Sequence, residues 1–393
     1  MLLLVPTTTY RAADFLAAAH ALGVEVVVAS DEAPPLASSM GDRALAVPLD
    51  DPDAAAAAIE ALDARHPIDA VVAVDDQGVV VAAQAGERLG FPHNRPAAVA
   101  LTRDKAAMRD ALAAAEVSQP RYARLDELDD LPDVGWPRVV KPTHSSGSRG
   151  VLRADDAAAA RAAARRVSAI VDGAPLLVEE YVAGVEVAVE GLLQDGRLVV
   201  LAVFDKPDPL EGPTFEETIY VTPSRLPSEW LATVERVAGD ATRALGLTEG
   251  PVHAELRVDP DGRAWLIEVA ARSIGGLCAR TLRLGAGISL EEVILRHALD
   301  LPLVDLAREA QASGVMMLPI PRAGVLRGVH GQDAARRVPG VVGLEVTIPT
   351  GRPVRALPEG DRYLGFLFAR GATPDEVEAT LRRAHGLLEV DIA

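Results

Sequence analysis

Short apolar runs alternate with stretches of helical spacing over the first hundred residues. Residues 2–5 form a continuous apolar run of strand length. Across 11–22, Phe15, Leu16, Ala19 and Leu22 fall on one side of a helix. Runs at 24–29, 44–47 and 70–74 read as further strands, with an alanine-rich helix near 53–64 between the last two. Strands separated by helices imply a parallel sheet covered on both faces. This unit closes near Phe91-Pro-His-Asn-Arg-Pro96.

The pattern then changes. Thr102 or Asp104 can N-cap a helix that runs to about Ala115 and carries Lys105 and Arg109 on one face. Gln119-Pro120 opens an extended segment, and a strand after Trp136-Pro137 ends at Lys141. A helix over 155–171 is followed by a strand at 176–182. Alternating strands at 187–193 and 198–204 flank the hairpin turn Asp195-Gly196. Residues 205–218 are too polar and proline-rich for an element, and loops of that length are often functional. After a helix at 227–245, strands at 252–258 and 264–269 form an antiparallel hairpin through Asp259-Pro-Asp-Gly262. Helices follow to about 299, then short strands at 314–318, 324–330, 343–348 and 363–370 and a closing helix at 374–385. The expected fold is mixed α/β and α+β in three units, 1–95, 96–300 and 301–393.

Composition narrows the function. A chain of 393 residues with 49% hydrophobic and 24% charged positions is globular with sizeable cores. A net charge of −18 argues against nucleic acid and anionic membranes as partners, though a local basic pocket can still take a nucleotide. The single cysteine, Cys278, excludes an intrachain disulfide and fits a reducing compartment. No apolar run approaches the roughly 18 residues that span a bilayer, and Met1-Leu-Leu-Leu-Val-Pro6 lacks the basic start of a signal peptide. A soluble cytoplasmic protein is expected. The turn Pro6-Thr-Thr-Thr-Tyr10 has no Gly-x-Gly-x-x-Gly fingerprint, so NAD is not expected. Asp75 and Asp76 stand at the carboxyl end of a strand, where α/β sheets bind ligands, but read first as caps of the next helix.

The stretch Arg138-Val-Val-Lys141-Pro-Thr-His-Ser145-Ser146-Gly147-Ser148-Arg149-Gly150 carries the first chemical signal. Gly147 and Gly150 allow backbone conformations in which consecutive N–H groups point inward and hold an anion. Lys141, just before the loop, adds a point charge suited to phosphate. The loop is not a Walker A motif, and taken alone it reads equally as a polar turn. Glu255 and Glu268 lie on paired strands, where two carboxylates can converge and share a cation such as Mg²⁺. Taken alone they read as exposed strand carboxylates. Glu179-Glu180-Tyr181-Val182 offers an extended backbone edge to an adenine, and Glu186 suits two ribose hydroxyls.

In this order, Lys105, Val-Val-Lys141 with Ser145–Gly150, Glu-Glu-Tyr-Val with Gly-x-Glu186, His-x-Glu255 and Ile-Glu268-x-x-x-Arg272, the motifs resemble the ATP-grasp superfamily over about 95–300. Phe204-Asp-Lys-Pro through Pro223 and Glu268-Val-Ala-Ala-Arg272-Ser-Ile-Gly275-Gly276 resemble the L-amino acid ligase and carnosine synthase branch. Many ATP-grasp enzymes place an asparagine where this chain has Ala270; a water or another oxygen is expected to complete the metal shell. The resemblance implies a carboxylate–amine ligase. ATP would phosphorylate a carboxylate, an amine would attack the acylphosphate, and ADP and phosphate would be released. It assigns Lys105 and Lys141 to the phosphates, the 145–150 loop to a lid, and Glu255 and Glu268 to Mg²⁺, with Mn²⁺ able to replace it. Arg272 would stabilise developing charge, with a salt-bridge strut as its other reading. His253 would contact substrate or sit hydrogen-bonded in the core. Glu216 or Glu217 would bind a substrate amino group, with Gly275 and Gly276 beside it. Partners would be amino acids and, among proteins, at most a second copy of the chain. Biotin-carboxylase-like or purine-pathway ligases and a non-catalytic ATP-binding protein are the competing readings.

Overall fold

The computed structural model describes residues 1–32, 43–303 and 305–393. The first sheet is parallel and uses Leu2–Leu4 (β1), Val27–Ser30 (β2), Ala44–Ala46 (β3) and Val71–Ala73 (β4), in the order β3-β2-β1-β4. Alternate residues of β1 serve opposite faces, as strand geometry requires. Leu3 packs with Phe15 and Ala19 of the helix Ala12–Ala21. Leu2 and Leu4 pack with Ile59 and Leu62 of Pro52–Asp63 and with Val81 and Ala85 of Val79–Leu89. All three β1 leucines are completely buried, which is why an unpatterned apolar run suits this position.

A second, antiparallel sheet, β5-β8-β6-β7, comprises Tyr122–Leu125 (β5), Arg138–Pro142 (β6), Leu152–Ala154 (β7) and Leu176–Glu180 (β8). Helix Ala157–Ile170 covers it through Ala163, Ala164 and Val167.

The largest sheet has eight strands: Val185–Gln194 (β9), Arg197–Lys206 (β10), Ile219–Thr222 (β11), Gly250–Val258 (β12), Ala264–Ala270 (β13), Ala312–Leu318 (β14), Val341–Val346 (β16) and Gly365–Gly371 (β18). Their order is β13-β12-β9-β10-β11-β14-β18-β16. Helix Ser228–Leu245 packs on one face through Val234, Val237 and Ala241. The other face joins the core of the first unit, where Phe204, Tyr220, Val315 and Phe366 meet Phe15 and helix Leu290–Ala298. Gly324–His330 (β15), Pro353–Val354 (β17) and Glu389–Ile392 (β19) form a small sheet of their own, and helix Pro374–His385 packs near it.

The mixed fold class expected from the pattern is the one observed. Two features differ in detail. The strand expected to end at 204 continues to Lys206, and Ile219–Thr222, directly after the polar 205–218 segment and not expected as a strand, forms β11. The large sheet also runs past residue 301 without a break, because β11 needs a partner and finds it in β14, with Ile219 opposite Met316. Among the described residues no helix is long and apolar enough to cross a membrane.

Candidate functional site

A cleft of about 370 Å³ opens between the second sheet and the large sheet. Tyr10 and Asp76 of the first unit and the C-terminal residues Asp361, Arg362 and Tyr363 also line it.

One wall is electrostatically built from the strand tips. Lys141 is 4% exposed and its Nζ lies 2.7 Å from Glu179 Oε2. The buried Arg109 grips the same carboxylate, with Nε 2.7 Å from Oε1, and donates to the carbonyls of Leu266 and Ile267. Burial alone would raise the Glu179 carboxyl, but Arg109 and then Lys141 hold it down to about 2. Burial lowers Lys141, and Glu179 partly restores it. Lys105 Nζ donates to the Ser145 carbonyl at 2.7 Å and pairs with Glu268 at 3.1 Å, so it ties the glycine loop to the opposite sheet. Gly147, Ser148 and Gly150 all have positive φ, at 61°, 57° and 73°. Ser145, Ser146, Gly147 and Ser148 line the cleft; Gly150 lies behind, its N–H donating to the Pro358 carbonyl at 2.9 Å.

The edge segment follows β8. Glu180 turns outward to Arg121, at 2.8 Å. Tyr181 lies beneath the Arg257 guanidinium, 4.9 Å from the ring centroid, and 6.3 Å from the Phe215 ring. Among the described residues the N–H of Val182 donates to no partner, while its carbonyl accepts from Arg257 at 2.7 Å.

Glu255 and Glu268 stand directly opposite each other on β12 and β13. The carboxylate oxygens that cluster within 4.8 Å of one another are those of Glu186, Glu217 and Glu255. Lys206, buried at the end of β10, neutralises all three at 2.7, 2.6 and 3.1 Å. Burial, then Glu255, push the Glu217 carboxyl up to about 7 against the pull of Lys206. Ala270 lines the cleft opposite His253 in the β12–β13 register and supplies no ligand atom. The His253 ring bridges Glu190 at 2.5 Å and Glu255 at 3.2 Å. Burial disfavours its cation, yet Glu190 and then Glu255 raise it to about 9. The hydrogen-bonded reading of His253 is therefore the one its geometry fits, at a position that still lines the cleft.

Arg272 donates to Asp76 Oδ2 at 2.8 Å and to the Ser273 carbonyl at 2.9 Å, while its Nε is buried without a partner. Asp76 also pairs with Arg103 at 3.0 Å, and the two arginines overcome burial to hold its carboxyl far below the usual range. Asp75 does cap the following turn, accepting from Asp76 N–H at 3.0 Å. Gly275 and Gly276 line the cleft, and a Cβ on Gly276 would stand 2.7 Å from Phe366. Glu217 faces the cleft, whereas Glu216 faces a small neighbouring void.

Sequence reasoning passed over Lys206, Arg257 and Arg362, and read Asp76 first as a cap of the next helix. Of these, Arg257 had one usable signal: strand alternation puts it on the same face as His253 and Glu255.

Three family models match the chain: an ATP-grasp N-terminal domain over 16–93, an ATP-grasp domain over 134–281 and an L-amino acid ligase C-terminal domain over 316–393. Alanine–anticapsin ligase of Bacillus subtilis is 29% identical over 253 residues, which are 58% of this chain and 53% of that protein. The chain thus spans about half the length of such relatives. D-Alanine–D-alanine ligase of Gloeobacter violaceus is 30% identical over 227 residues, which are 53% of this chain and 72% of that protein. The crystal structure of L-amino acid ligase from Bacillus licheniformis matches with a TM-score of 0.84 at 25% identity, covering 100% of this chain and 98% of that one. With matched domains at both ends and the middle, and a cleft built where their sheets meet, the chain belongs to the ATP-grasp family.

Proposed function

We propose that this protein is an ATP-dependent carboxylate–amine ligase that joins two amino acids and releases ADP and phosphate. The observation that carries the reading is the convergence, in one cleft, of two buried lysines, a positive-φ serine–glycine loop and the cross-strand pair Glu255 and Glu268. The names of the relatives, alanine–anticapsin ligase and L-amino acid ligase, and the match of residues 316–393 to an L-amino acid ligase C-terminal domain favour amino acids over other carboxylates.

ATP enters with its adenine between Tyr181 and Ile267, its edge on the free Val182 N–H and its ribose near Glu186. Lys105 and Lys141 take the phosphates, and the N–H groups of 145–148 cover them. The all-oxygen donor set fits a hard dication. Glu255 and Glu268 would hold Mg²⁺, which would neutralise phosphate charge. One substrate carboxylate oxygen attacks the γ-phosphorus; the O–P bond to ADP breaks, giving an acylphosphate. The second amino acid's nitrogen then attacks the acyl carbon, loses a proton and expels phosphate. Arg272, fixed by Asp76, presents its guanidinium to the charge that develops. Glu217, whose carboxyl burial and Glu255 raise to about 7, would receive the amine proton. Closure of the loop keeps water from the acylphosphate.

The screen that tests the proposal follows ADP, phosphate and product mass across amino-acid pairs. Pair-dependent ADP with a dipeptide-mass product supports it. ADP formation that ignores amino acids, or follows bicarbonate or an amino sugar phosphate, overturns it.

Gly147→Val gives a separate expectation. A Cβ there has room, with the nearest atom, Asp361 O, at 4.0 Å, so the cost lies in the backbone. A β-branched residue at φ 61° is strained by roughly 1–3 kcal/mol. The loop should leave its closed path, so ATP is hydrolysed without amide formation. The ratio of dipeptide to ADP is expected to fall severalfold; an unchanged ratio removes the lid role.

A further inference from the structure

The cations that line the cleft are almost all spoken for. Lys105 pairs with Glu268, Lys141 with Glu179, Arg257 with Glu186, Arg272 with Asp76, and His253 with Glu190. Arg362 differs. Among the described residues it has no carboxylate within ion-pair distance and makes no hydrogen bond, although it lines the cleft. Its backbone is firmly seated, since the next strand starts at Gly365 and Leu364 N–H donates to the Leu318 carbonyl at 2.9 Å. The residue is exposed.

Its position narrows what it can serve. Arg362 shares a small void with Gly147 and Glu216, beside Tyr363. The ring of the adjoining Tyr363 lies 6.4 Å from that of Phe366, which Tyr10 of the first unit meets edge-on at 5.3 Å. The phosphates already have two lysines and the loop, but one further anion must be held in an amino-acid ligase. The amino acid that supplies the amine keeps its own carboxylate through the reaction and into the product. A guanidinium recognises a carboxylate in two parallel hydrogen bonds, which also fixes the nitrogen's direction of attack.

We propose that Arg362 binds the free carboxylate of the amine-donating amino acid. This makes the C-terminal segment a determinant of the second substrate, and it limits that substrate to amino acids or peptides with an unblocked carboxylate. The inference rests on the ligase reading above.

The test uses the full chain and an amino-acid pair identified by the product screen. KM for the amine donor is measured as the free acid and as its primary amide, with KM for ATP alongside, in the wild type, Arg362→Lys and Arg362→Met. The wild type should prefer the acid. In Arg362→Met, KM for the acid should rise roughly tenfold to a hundredfold, the scale of one charged hydrogen-bonded pair, while KM for the amide and for ATP stays within about twofold. Arg362→Lys, which keeps the charge but not the fork, should fall between. Equal effects on acid and amide, a wild type indifferent to the amide, or a rise in KM for ATP would each overturn the assignment. A wild type whose ADP formation ignores amino acids would sink the ligase reading, and this inference with it, before any variant is made.

Discussion

Glu268→Gln is expected to lower the ADP-forming rate by roughly two to three orders of magnitude, the scale on which loss of one preorganised charge-stabilising group acts. The substitution keeps the side-chain shape and removes only the charge, so it leaves no cavity. Its structural cost should be small. The Glu268 side chain is 27% exposed, its ion pair with Lys105 is 3.1 Å long, and pairs with that access to water contribute at most about 1 kcal/mol. Lys105 keeps the Ser145 carbonyl as a partner at 2.7 Å. The loss therefore falls on chemistry. The variant should melt within a few degrees of the wild type and need more Mg²⁺ for half-maximal rate. A variant with wild-type rate and Mg²⁺ dependence would make Glu268 no more than the strand partner of Lys105.

Lys206→Met is expected to destabilise the fold by roughly 3–5 kcal/mol, the usual result of removing one partner from a buried ionic cluster. Lys206 is 5% exposed and stands among Glu186, Glu217 and Glu255. Without it Glu186 keeps Arg257 and Glu255 keeps His253, but Glu217 is left with the Tyr220 hydroxyl, 2.8 Å away. A carboxyl whose folded pKa lies above its unfolded value holds its proton more tightly when folded. Acidification then favours the folded state, and stability is lost as pH rises through the folded value. Burial already pushes Glu217 up to about 7, and loss of the ammonium pushes it further the same way. The deficit of Lys206→Met should therefore be largest above neutral pH and shrink toward pH ~5, the range in which such a carboxyl takes up its proton. Urea unfolding at both pH values checks this. A deficit that does not change with pH would mean that the carboxylates are not the source.

What the sequence made legible follows the range of the interactions involved. The Gly-rich loop after Val-Val-Lys141 and the hairpin bearing Glu255 and Glu268 are local features, set by turn residues and alternation, and the register confirms that the two glutamates face each other. Lys206 was hidden because a lysine beside two prolines looks like a loop. It ends a strand only because carboxylates from β9, β12 and the 207–218 segment converge on it. Asp205 beside it is buried for the same kind of reason, since Arg225 meets it at 2.7 Å. Asp76 reads locally as a helix cap; its link to Arg272 spans 196 positions and depends on the first sheet docking against the large one. The passage of β14, β18 and β16 into the large sheet was equally invisible, because strand order is set by which edges remain open, and the strands themselves carry no mark of it.

The central claim, that a carboxylate is phosphorylated and then captured by an amine, is tested most directly by oxygen transfer. The carboxylate-donating amino acid, with ¹⁸O in its carboxylate, is incubated with ATP, Mg²⁺, the partner amino acid and the wild-type protein, and the phosphorus products are read by mass spectrometry. An acylphosphate route moves one carboxylate oxygen to the phosphorus and releases it there, so the account predicts one ¹⁸O in inorganic phosphate for each dipeptide formed. Label in AMP, or phosphate that stays unlabelled while dipeptide accumulates, would contradict it.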